Sequence, residues 1–254
     1  MKHSDRDLAW LHTVRDVEWE AIDFPAELGS TTSVLELGSG TGYILDRLRK
    51  HFDSVTGLEV SDSSYSPTVT GAKYYDGVNI PCEDGSLDLV VSFHVLEHAT
   101  QLSELLVDCK RVLKPDGVMI HVLPSPTWRF LTTLLWYFGA VAYVLRRTIG
   151  RSEGMSPGRD DRLKNGGWRQ KLLPRRHGEK GNAITEGYHF RKKRWIGEFE
   201  SAGFIVSGVK RSGIIYWGND FFRSSLSVRS RNLASRVIGS SSLIYMLRKP
   251  AAVD

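Results

Sequence analysis

The residues best placed to do chemistry form a glycine-rich stretch between two apolar segments. The apolar run Val34–Leu37 leads into Gly38–Gly42 (Gly-Ser-Gly-Thr-Gly), and apolar residues at helical spacing follow. This pattern predicts a buried strand, a tight turn and the start of a helix. Glycine lets the turn bend sharply and lets a ligand approach the main chain, while free N–H groups at the helix start face that ligand. We therefore expect a ligand-binding turn.

A carboxylate follows these glycines at an informative distance. Residues Ser54–Val60 predict a second buried strand, and Glu59 lies near its end, roughly 20 residues after the turn. The two oxygens of a carboxylate can accept hydrogen bonds from two ribose hydroxyls. A P-loop is excluded because no Gly-Lys-Ser/Thr follows the turn. The dinucleotide pattern fails as well, because Gly42 comes one residue early.

The string Glu-x-Gly-x-Gly-x-Gly, from Glu36 to Gly42, resembles motif I of the class I S-adenosylmethionine (SAM) methyltransferases. The run DGVNIPCEDGSLDLVVSFHVLEH, residues 76–98, resembles the signature of the type 11 methyltransferases, which include many enzymes that methylate small molecules, lipids and glycans. The resemblance covers residues 33–126 and resumes at residues 189–205. It implies SAM as the cofactor and S-adenosylhomocysteine as its product.

The resemblance also implies roles for individual residues. The acid of motif I is expected to reach the cofactor's amino group, the glycines to hold its methionine end, and the acid of the second strand to bind the ribose. The pair Asp76–Gly77 would lie by the adenine, and Ser92–His94 would flank the methyl-transfer channel. The residues expected to bind the cofactor are Glu36, Gly38, Ser39, Gly40, Gly42, Glu59, Val60, Asp76, Gly77, Ser92, Phe93 and His94. No metal site is expected.

Histidines are the candidates for a catalytic base. The sulfonium of SAM is already activated, so the protein mainly aligns the acceptor and excludes water. A hydroxyl acceptor also needs a base, whereas a carbon or nitrogen acceptor can react without one. His94, after the fourth strand, and His189, after a long insertion, are the predicted catalytic residues. His121 is expected to be a core residue, and His98 is explained equally well by a structural role.

The order of the segments predicts an α/β fold with a Rossmann-like, seven-stranded and mostly parallel sheet in a three-layer αβα arrangement. The resemblance implies that the last strand, residues 242–248, is antiparallel and lies beside strand six. A fifth strand is expected at residues 118–123, after a turn at 114–117. One domain is predicted, with an N-terminal helical cap (1–30), a cofactor-binding core (33–126), an insertion that covers the acceptor (127–187) and the C-terminal part of the sheet (188–254). The cap either packs on the sheet or forms a lid with Trp10 or Trp19 near the ligand.

The insertion after strand five has two unusual halves. Residues 130–145 are almost wholly apolar, but this run of roughly 16 residues is shorter than the 20 or so that span a bilayer. It is either a buried cover or a helix that lies in a membrane interface. Residues 151–181 are rich in arginine and lysine. The insertion is therefore an acceptor cover or a peripheral contact with an anionic membrane through residues 129–180. A second basic amphipathic stretch, residues 221–238, could line the same face.

Net charge and cysteine content restrict the function less closely than the motifs do. The net charge of +5 suggests an anionic surface or ligand. Two cysteines without a disulfide pattern, and a polar N-terminus, predict a cytoplasmic protein; association with a membrane through the insertion is left open. The predicted function is methyl transfer from SAM to an oxygen of a small-molecule, lipid-linked or glycan acceptor. The alternatives are an RNA methyltransferase, which the lack of an RNA-binding module disfavours, and a non-catalytic SAM-binding partner. The oligomeric state is left open.

Overall fold

The computed structural model describes residues 5–63, 71–148, 174, 176–182, 185–218 and 226–250. In chain order its elements are α1 (Asp5–Glu20), β1 (Ser33–Leu37), α2 (Tyr43–Leu48), β2 (Ser54–Val60), β3 (Ala72–Tyr75), β4 (Leu87–Phe93), a 3₁₀ turn (Leu96–His98), α3 (Leu102–Val112), β5 (Leu113–Pro124), α4 (Pro126–Thr148), α5 (Glu186–His189), α6 (Lys192–Ser201), β6 (Ile205–Arg211), α7 (Val228–Ile238) and β7 (Ser242–Arg248).

The strands form one seven-stranded sheet in the order β3-β2-β1-β4-β5-β7-β6. Strand β1 pairs in parallel with β2 and β4, and the parallel pairing continues to β3 on one side and β5 on the other. Strand β7 lies between β5 and β6 and runs antiparallel to β6. The predicted Rossmann-like sheet with an antiparallel last strand is therefore confirmed.

The central strands of the sheet are covered on both sides. They therefore carry apolar side chains on both faces. Neighbouring residues of β1 point to opposite faces, so Val34 belongs to one core cluster and Leu35 to the other. Helices α3 and α6 cover the face of Leu35, with Leu105 and Phe199 in that cluster. Helix α2 and the end of α1 cover the face of Val34, where Trp19 is buried. Trp19 is thus part of the packed cap.

Strand β5 is longer than the sequence predicts. It begins at Leu113 instead of Val118, because Leu113 already pairs with Leu87 of β4 before the register shifts. The Lys-Pro-Asp-Gly segment predicted as a turn therefore lies within the strand. Lys114 Nζ is 2.8 Å from Asp88 Oδ1, which anchors this segment to β4. Helix α2, which follows the glycine turn as predicted, is short and ends at Leu48.

The chain forms two compact units. The first contains residues 1–123, 192–212 and 243–254, and the second contains residues 124–191 and 213–242. The second unit thus combines the predicted insertion with a later segment that carries α7. Most of the basic stretch 151–181, and residues 221–225, lie outside the described residues. None of the described helices is long and apolar enough to cross a membrane.

A buried ion pair stabilises the second unit. Arg129 Nη1 of α4 lies 2.9 Å from Glu186 Oε2 of α5, and both side chains are almost fully buried. The other oxygen of Glu186 accepts hydrogen bonds of 2.6 Å from the N–H groups of His177 and Gly178. Each charge therefore has a partner, which a buried charge requires. The ring of Trp128 packs against His177 beside this pair.

Candidate active site

The carboxyl ends of four parallel strands meet at one edge of the sheet. Leu37 at the end of β1 is level with Leu58 of β2 and Ser92 of β4, and Val60 of β2 is level with Tyr75 of β3. The loops that follow these strands therefore converge. They enclose a pocket of about 480 Å³ within the first unit. In open α/β sheets, ligands bind at this edge.

The glycine turn after β1 forms one wall of the pocket. Gly38 and Gly40 have φ angles of 67° and 54°, which side chains rarely adopt. A Cβ atom on Gly38 would lie 2.4 Å from Cγ2 of Val95, so only glycine fits between the turn and the loop after β4. A Cβ on Gly40 would meet nothing closer than 3.9 Å. The backbone at Gly40 is therefore open to a ligand.

Glu59 of β2 is joined to the glycine turn. Its Oε2 atom accepts a 2.6 Å hydrogen bond from the N–H of Gly40, and its Oε1 atom accepts one of 3.0 Å from the N–H of Val60. The side chain is 5% exposed and lines the pocket. Each carboxylate oxygen can accept a second hydrogen bond. Glu59 is therefore held in place and can still accept hydrogen bonds from a ligand.

Glu36 of β1 also lines the pocket but is poorly paired. Among the described residues, its Oε2 atom has no hydrogen-bond partner, although the side chain is only 2% exposed. Burial raises the pKa of Glu36 to about 8; the nearby Ser39 hydroxyl opposes this rise and the charge of Glu59 adds to it. A buried carboxyl without a partner is unfavourable. Glu36 is therefore suited to a cationic ligand that would enter the pocket.

Asp76 follows β3 at the same edge and lines the pocket. Its Oδ1 atom accepts hydrogen bonds from the N–H groups of Val78 and Asn79, at 2.8 and 2.7 Å, and its Oδ2 atom accepts one from the Asn79 side chain. These hydrogen bonds, with that of the Asn79 side chain foremost, hold the pKa of Asp76 below its usual value. Asp76 is therefore an ionised acceptor at neutral pH, and its turn fixes the loop that contains Gly77.

His94 lies between two buried acids. Its Nε2 atom is 2.9 Å from Oε1 of Glu18 in α1, and its Nδ1 atom is 3.5 Å from Oε1 of Glu97. Glu18 also binds Arg15, whose Nη1 atom lies 2.5 Å from its Oε2 atom. The N–H of His94 donates to the carbonyl of Val122 in β5. The N-terminal helix therefore supplies an acid that orients a histidine at the end of β4.

The environment of His94 also changes its proton affinity and its backbone. Burial by itself lowers the pKa of His94, but the charge of Glu18 and the hydrogen bonds of Glu18 and Glu97 outweigh burial, so the pKa lies above 6.5. The φ angle of His94 is 57°, an uncommon conformation for a residue with a side chain. Strained residues of this kind concentrate at functional sites. The strain and the paired acids both mark His94 as a functional residue.

The structure brings together most of the residues predicted to bind the cofactor. Ten line the pocket, namely Glu36, Gly38, Ser39, Gly40, Glu59, Val60, Asp76, Gly77, Phe93 and His94. Gly42 and Ser92 are not among the described lining residues. The N–H of Gly42 closes the turn by donating to the carbonyl of Ser39. The hydroxyl of Ser92 lies 2.7 Å from Nδ1 of His121, and both residues are fully buried.

The other histidines lie in different surroundings. His121 packs in the core against Phe199, as expected, and burial lowers its pKa to about 3. His98 lines the pocket and is partly exposed. His189 belongs to the second unit, where its ring packs against Tyr188. Its Nδ1 atom is buried and has no hydrogen-bond partner among the described residues. Its catalytic role stays a prediction.

Glu18, which lies 76 residues before His94, was not predicted from the sequence as a site residue. One feature of the sequence could have revealed it. Leu11, Val14 and Glu18 follow one another at three- and four-residue spacing, which places an acid on the apolar face of the first helix. Leu11 and Arg15 line the pocket, so α1 is both packed on the sheet and part of the pocket wall.

Comparisons with known proteins agree with this geometry. A family model described as a methyltransferase domain matches residues 35–121. This stretch is a methyltransferase domain. It extends from β1 to β5 and contains the glycine turn, Glu59, Asp76 and His94. The resemblance to the type 11 methyltransferases is thereby confirmed, and the domain is of the SAM-dependent kind.

Two curated relatives match about a third of this chain. A Mycolicibacterium smegmatis protein named "Probable S-adenosylmethionine-dependent methyltransferase" is 32% identical over 98 residues, which are 36% of this chain and 38% of that protein. The ubiquinone biosynthesis O-methyltransferase of Maricaulis maris is 28% identical over 97 residues, 34% of this chain and 38% of that protein. The chain thus spans less than two-fifths of the length of either relative.

The fold is shared more widely than the sequence. A crystal structure of an S-adenosylmethionine-dependent methyltransferase from Mesorhizobium loti aligns with a TM-score of 0.54 over 92% of this chain and 98% of that one. The sequence identity is 14%, so this likeness shows the fold alone.

The pocket of the methyltransferase domain fits SAM, the cofactor of this family. The unpaired carboxyl of Glu36 suits a cationic amino group, and Glu59 retains acceptor capacity for a ribose. The backbone at Gly40 is open to a ligand, because a Cβ there would meet nothing closer than 3.9 Å. Apolar and aromatic side chains supply the remaining wall, including Ile44, Val60, Tyr75, Phe93 and Leu105.

Proposed function

We propose that this protein is a SAM-dependent methyltransferase that acts on an oxygen of a small-molecule, lipid-linked or glycan acceptor. One observation carries the proposal. Two buried acids, Glu36 and Glu59, flank a glycine turn inside a single pocket, and one oxygen of Glu36 has no partner among the described residues. Such a pocket is unfavourable when empty and favourable around a cationic nucleoside.

The residues of the pocket divide the work of holding the cofactor. Glu36 would bind the amino group, Glu59 would accept hydrogen bonds from the ribose, and the backbone at Gly38 and Gly40 would support the methionine end. Asp76 would hold the adenine. When bound, SAM supplies a methyl group on a sulfonium that needs no further activation. The chain therefore contributes alignment and exclusion of water.

His94 serves as the general base in this proposal. Glu18 accepts the Nε2 proton of His94, so the neutral ring has its lone pair at Nδ1. Nδ1, which lies 3.5 Å from Oε1 of Glu97, takes the proton of the acceptor hydroxyl as the oxygen is methylated, and the new N–H is then directed at Glu97. Glu18 then stabilises the imidazolium, the role that a buried acid plays beside a catalytic histidine. Glu18 is a positioning residue, because it acts through His94. His189 is the second candidate base.

The acceptor class rests on two observations. The pocket wall combines apolar side chains with the His94 cluster, which suits an acceptor that has a hydroxyl on an apolar body. One relative is named as a ubiquinone biosynthesis O-methyltransferase, which favours oxygen as the acceptor atom. We place the reaction in the cytoplasm, in keeping with the free thiols of Cys82 and Cys109. We also propose peripheral contact of residues 129–180 with an anionic membrane.

A screen with methyl-labelled SAM tests the function. The full chain is incubated with panels of phenols, hydroxylated lipids, lipid-linked sugars and RNA, and labelled products are identified by mass spectrometry. We expect label on oxygen in one of the first three panels, and on the order of a hundredfold less with His94→Gln. Label in RNA alone would instead identify an RNA methyltransferase. SAM binding without any labelled product would favour a non-catalytic partner protein.

A further inference from the structure

Helix α4 has two apolar faces, of which one is exposed. Trp128, Thr132 and Trp136 recur every four residues and are buried in the second unit. The opposite side is a stripe at three- and four-residue spacing, which we call the α4 stripe. It consists of Phe130, Leu134, Tyr137, Phe138, Val141 and Leu145, and its members are 38–63% exposed. Soluble proteins rarely leave such a continuous apolar surface in water.

Helix α7, in the same unit, presents a second exposed stripe. Leu233 and Val237 lie on one side of the helix at four-residue spacing, and Val237 is 87% exposed. Leu226, just before the helix begins, is also exposed and is counted with this stripe. Arg229 and Arg236 are exposed along the edge of this α7 stripe. The opposite face of α7 is buried through Arg231 and Ser235. The helix is therefore packed on one side and apolar with basic edges on the other.

The two stripes adjoin each other within the second unit. The hydroxyl of Thr127, in the first turn of α4, is 3.4 Å from the carbonyl of Ile238 at the end of α7. Thr127 precedes Phe130 and Leu134 by three and seven residues, so it lies on the same side of α4 as the stripe. The end of α7 thus abuts the beginning of the α4 stripe.

The charges on the two helices have one sign. Neither α4 nor α7 contains an acidic residue, and Arg229 and Arg236 are exposed beside the α7 stripe. Arginine at the edge of an apolar surface can extend its guanidinium to phosphate while its stem stays in the apolar layer. This composition matches helices that lie in the interface of an anionic bilayer.

We infer that the α4 and α7 stripes together form a membrane-docking surface that lies in the interface of an anionic phospholipid bilayer. This surface goes beyond the contact expected for residues 129–180, because it adds α7, which is about 80 residues further along the chain. The inference does not depend on methyl transfer, because docking needs neither cofactor nor acceptor.

Vesicle co-sedimentation of the full chain tests the surface. We expect binding to vesicles of phosphatidylcholine with phosphatidylglycerol, much weaker binding to phosphatidylcholine alone, and weakening at high ionic strength. The variant Phe130→Gln/Phe138→Gln/Val141→Gln should bind at least tenfold more weakly. The variant Arg229→Glu/Arg236→Glu leaves the α4 stripe unchanged, and its binding to these vesicles should still be at least tenfold weaker than that of the wild type.

Matched controls use exposed residues of the first unit. Val107→Gln/Ile205→Gln removes exposed apolar side chains, and Lys192→Glu/Lys193→Glu reverses exposed charges. Both controls should bind as the wild type does, and thermal unfolding should show every variant folded. Equal losses in controls and stripe variants, no vesicle binding at all, or binding that ignores vesicle charge would each overturn the inference. A dimer that the stripe variants dissociate, with vesicle binding unchanged, would assign the surface to a second copy.

Discussion

The pocket of the first unit and the exposed stripe of α4 in the second unit depart from ordinary protein structure in opposite ways. In the pocket, ionisable groups are taken out of water: Glu36 and Glu59 are each at most 5% exposed. On α4, large apolar groups such as Phe130 remain in water. Each arrangement is unfavourable for the free protein, so each indicates a ligand, and the chemistry of the two ligands must differ.

The largest expected effect concerns His94, in the pocket. His94→Gln keeps a hydrogen-bonding side chain beside Glu18 but removes the base, so turnover should fall on the order of 10²-fold. SAM affinity should change much less. Steady-state kinetics and calorimetry on one preparation separate these effects. A turnover that survives His94→Gln and falls with His189→Gln would move the base to the second unit.

The pH profile sharpens that prediction. Because Glu18 and Glu97 hold the pKa of His94 above 6.5, the rate should rise with pH as His94 loses its proton above that value. Glu18→Gln removes one acid, so the pKa of His94 should fall and the rising limb should move to lower pH. A purely structural Glu18 would lower the rate without moving the limb.

Glu36 should show a trade-off between binding and stability. At pH 7 the folded chain must keep Glu36 protonated, although a free carboxyl would be ionised, so Glu36→Gln should stabilise the free protein on the order of 3 kcal/mol. The same change should weaken SAM binding by about tenfold or more, because the charge partner of the amino group is lost. Chemical denaturation and calorimetry measure the two effects. A destabilised variant with normal affinity would refute the assignment.

Glu36 also predicts a pH dependence of binding. The cationic amino group favours the ionised carboxyl, so binding must release the proton held with a pKa of about 8. Affinity should therefore fall as the pH drops from about 7.5 to about 6, by at most tenfold per unit. Calorimetry in buffers of different ionisation enthalpy counts the released proton. The dependence should disappear in Glu36→Gln.

The smallest expected effect is that of a substitution in the exposed α4 stripe on the free energy of unfolding. Phe138→Gln should change the free energy of unfolding by no more than about 0.5 kcal/mol, because the side chain is exposed and makes little packing contribution. Trp136→Gln is the matched change on the buried face and should destabilise by about 3 kcal/mol or more. A similar loss in both would mean that the stripe is packed in solution.

Features that depend on a short segment could be predicted from the sequence, and features that depend on distant partners could not. Strand β2 has the predicted bounds, Ser54–Val60, because a run of branched apolar residues between breakers specifies a strand locally. The glycine turn and Glu59 were found because their order and spacing lie within one short segment. Glu18 and the true start of β5 were missed, because each depends on a partner far along the chain: His94 in one case, and Leu87 in the other.

Calorimetric titration of SAM into wild type, Glu59→Ala and Glu104→Ala tests the central claim most directly. Glu104 is an exposed acid of α3 and serves as the matched control. The account predicts that Glu59→Ala weakens binding at least tenfold, about 1.4 kcal/mol, because hydrogen bonds to the ribose and to Gly40 are lost. Glu104→Ala should bind as the wild type does. Equal affinity in all three proteins would contradict the account.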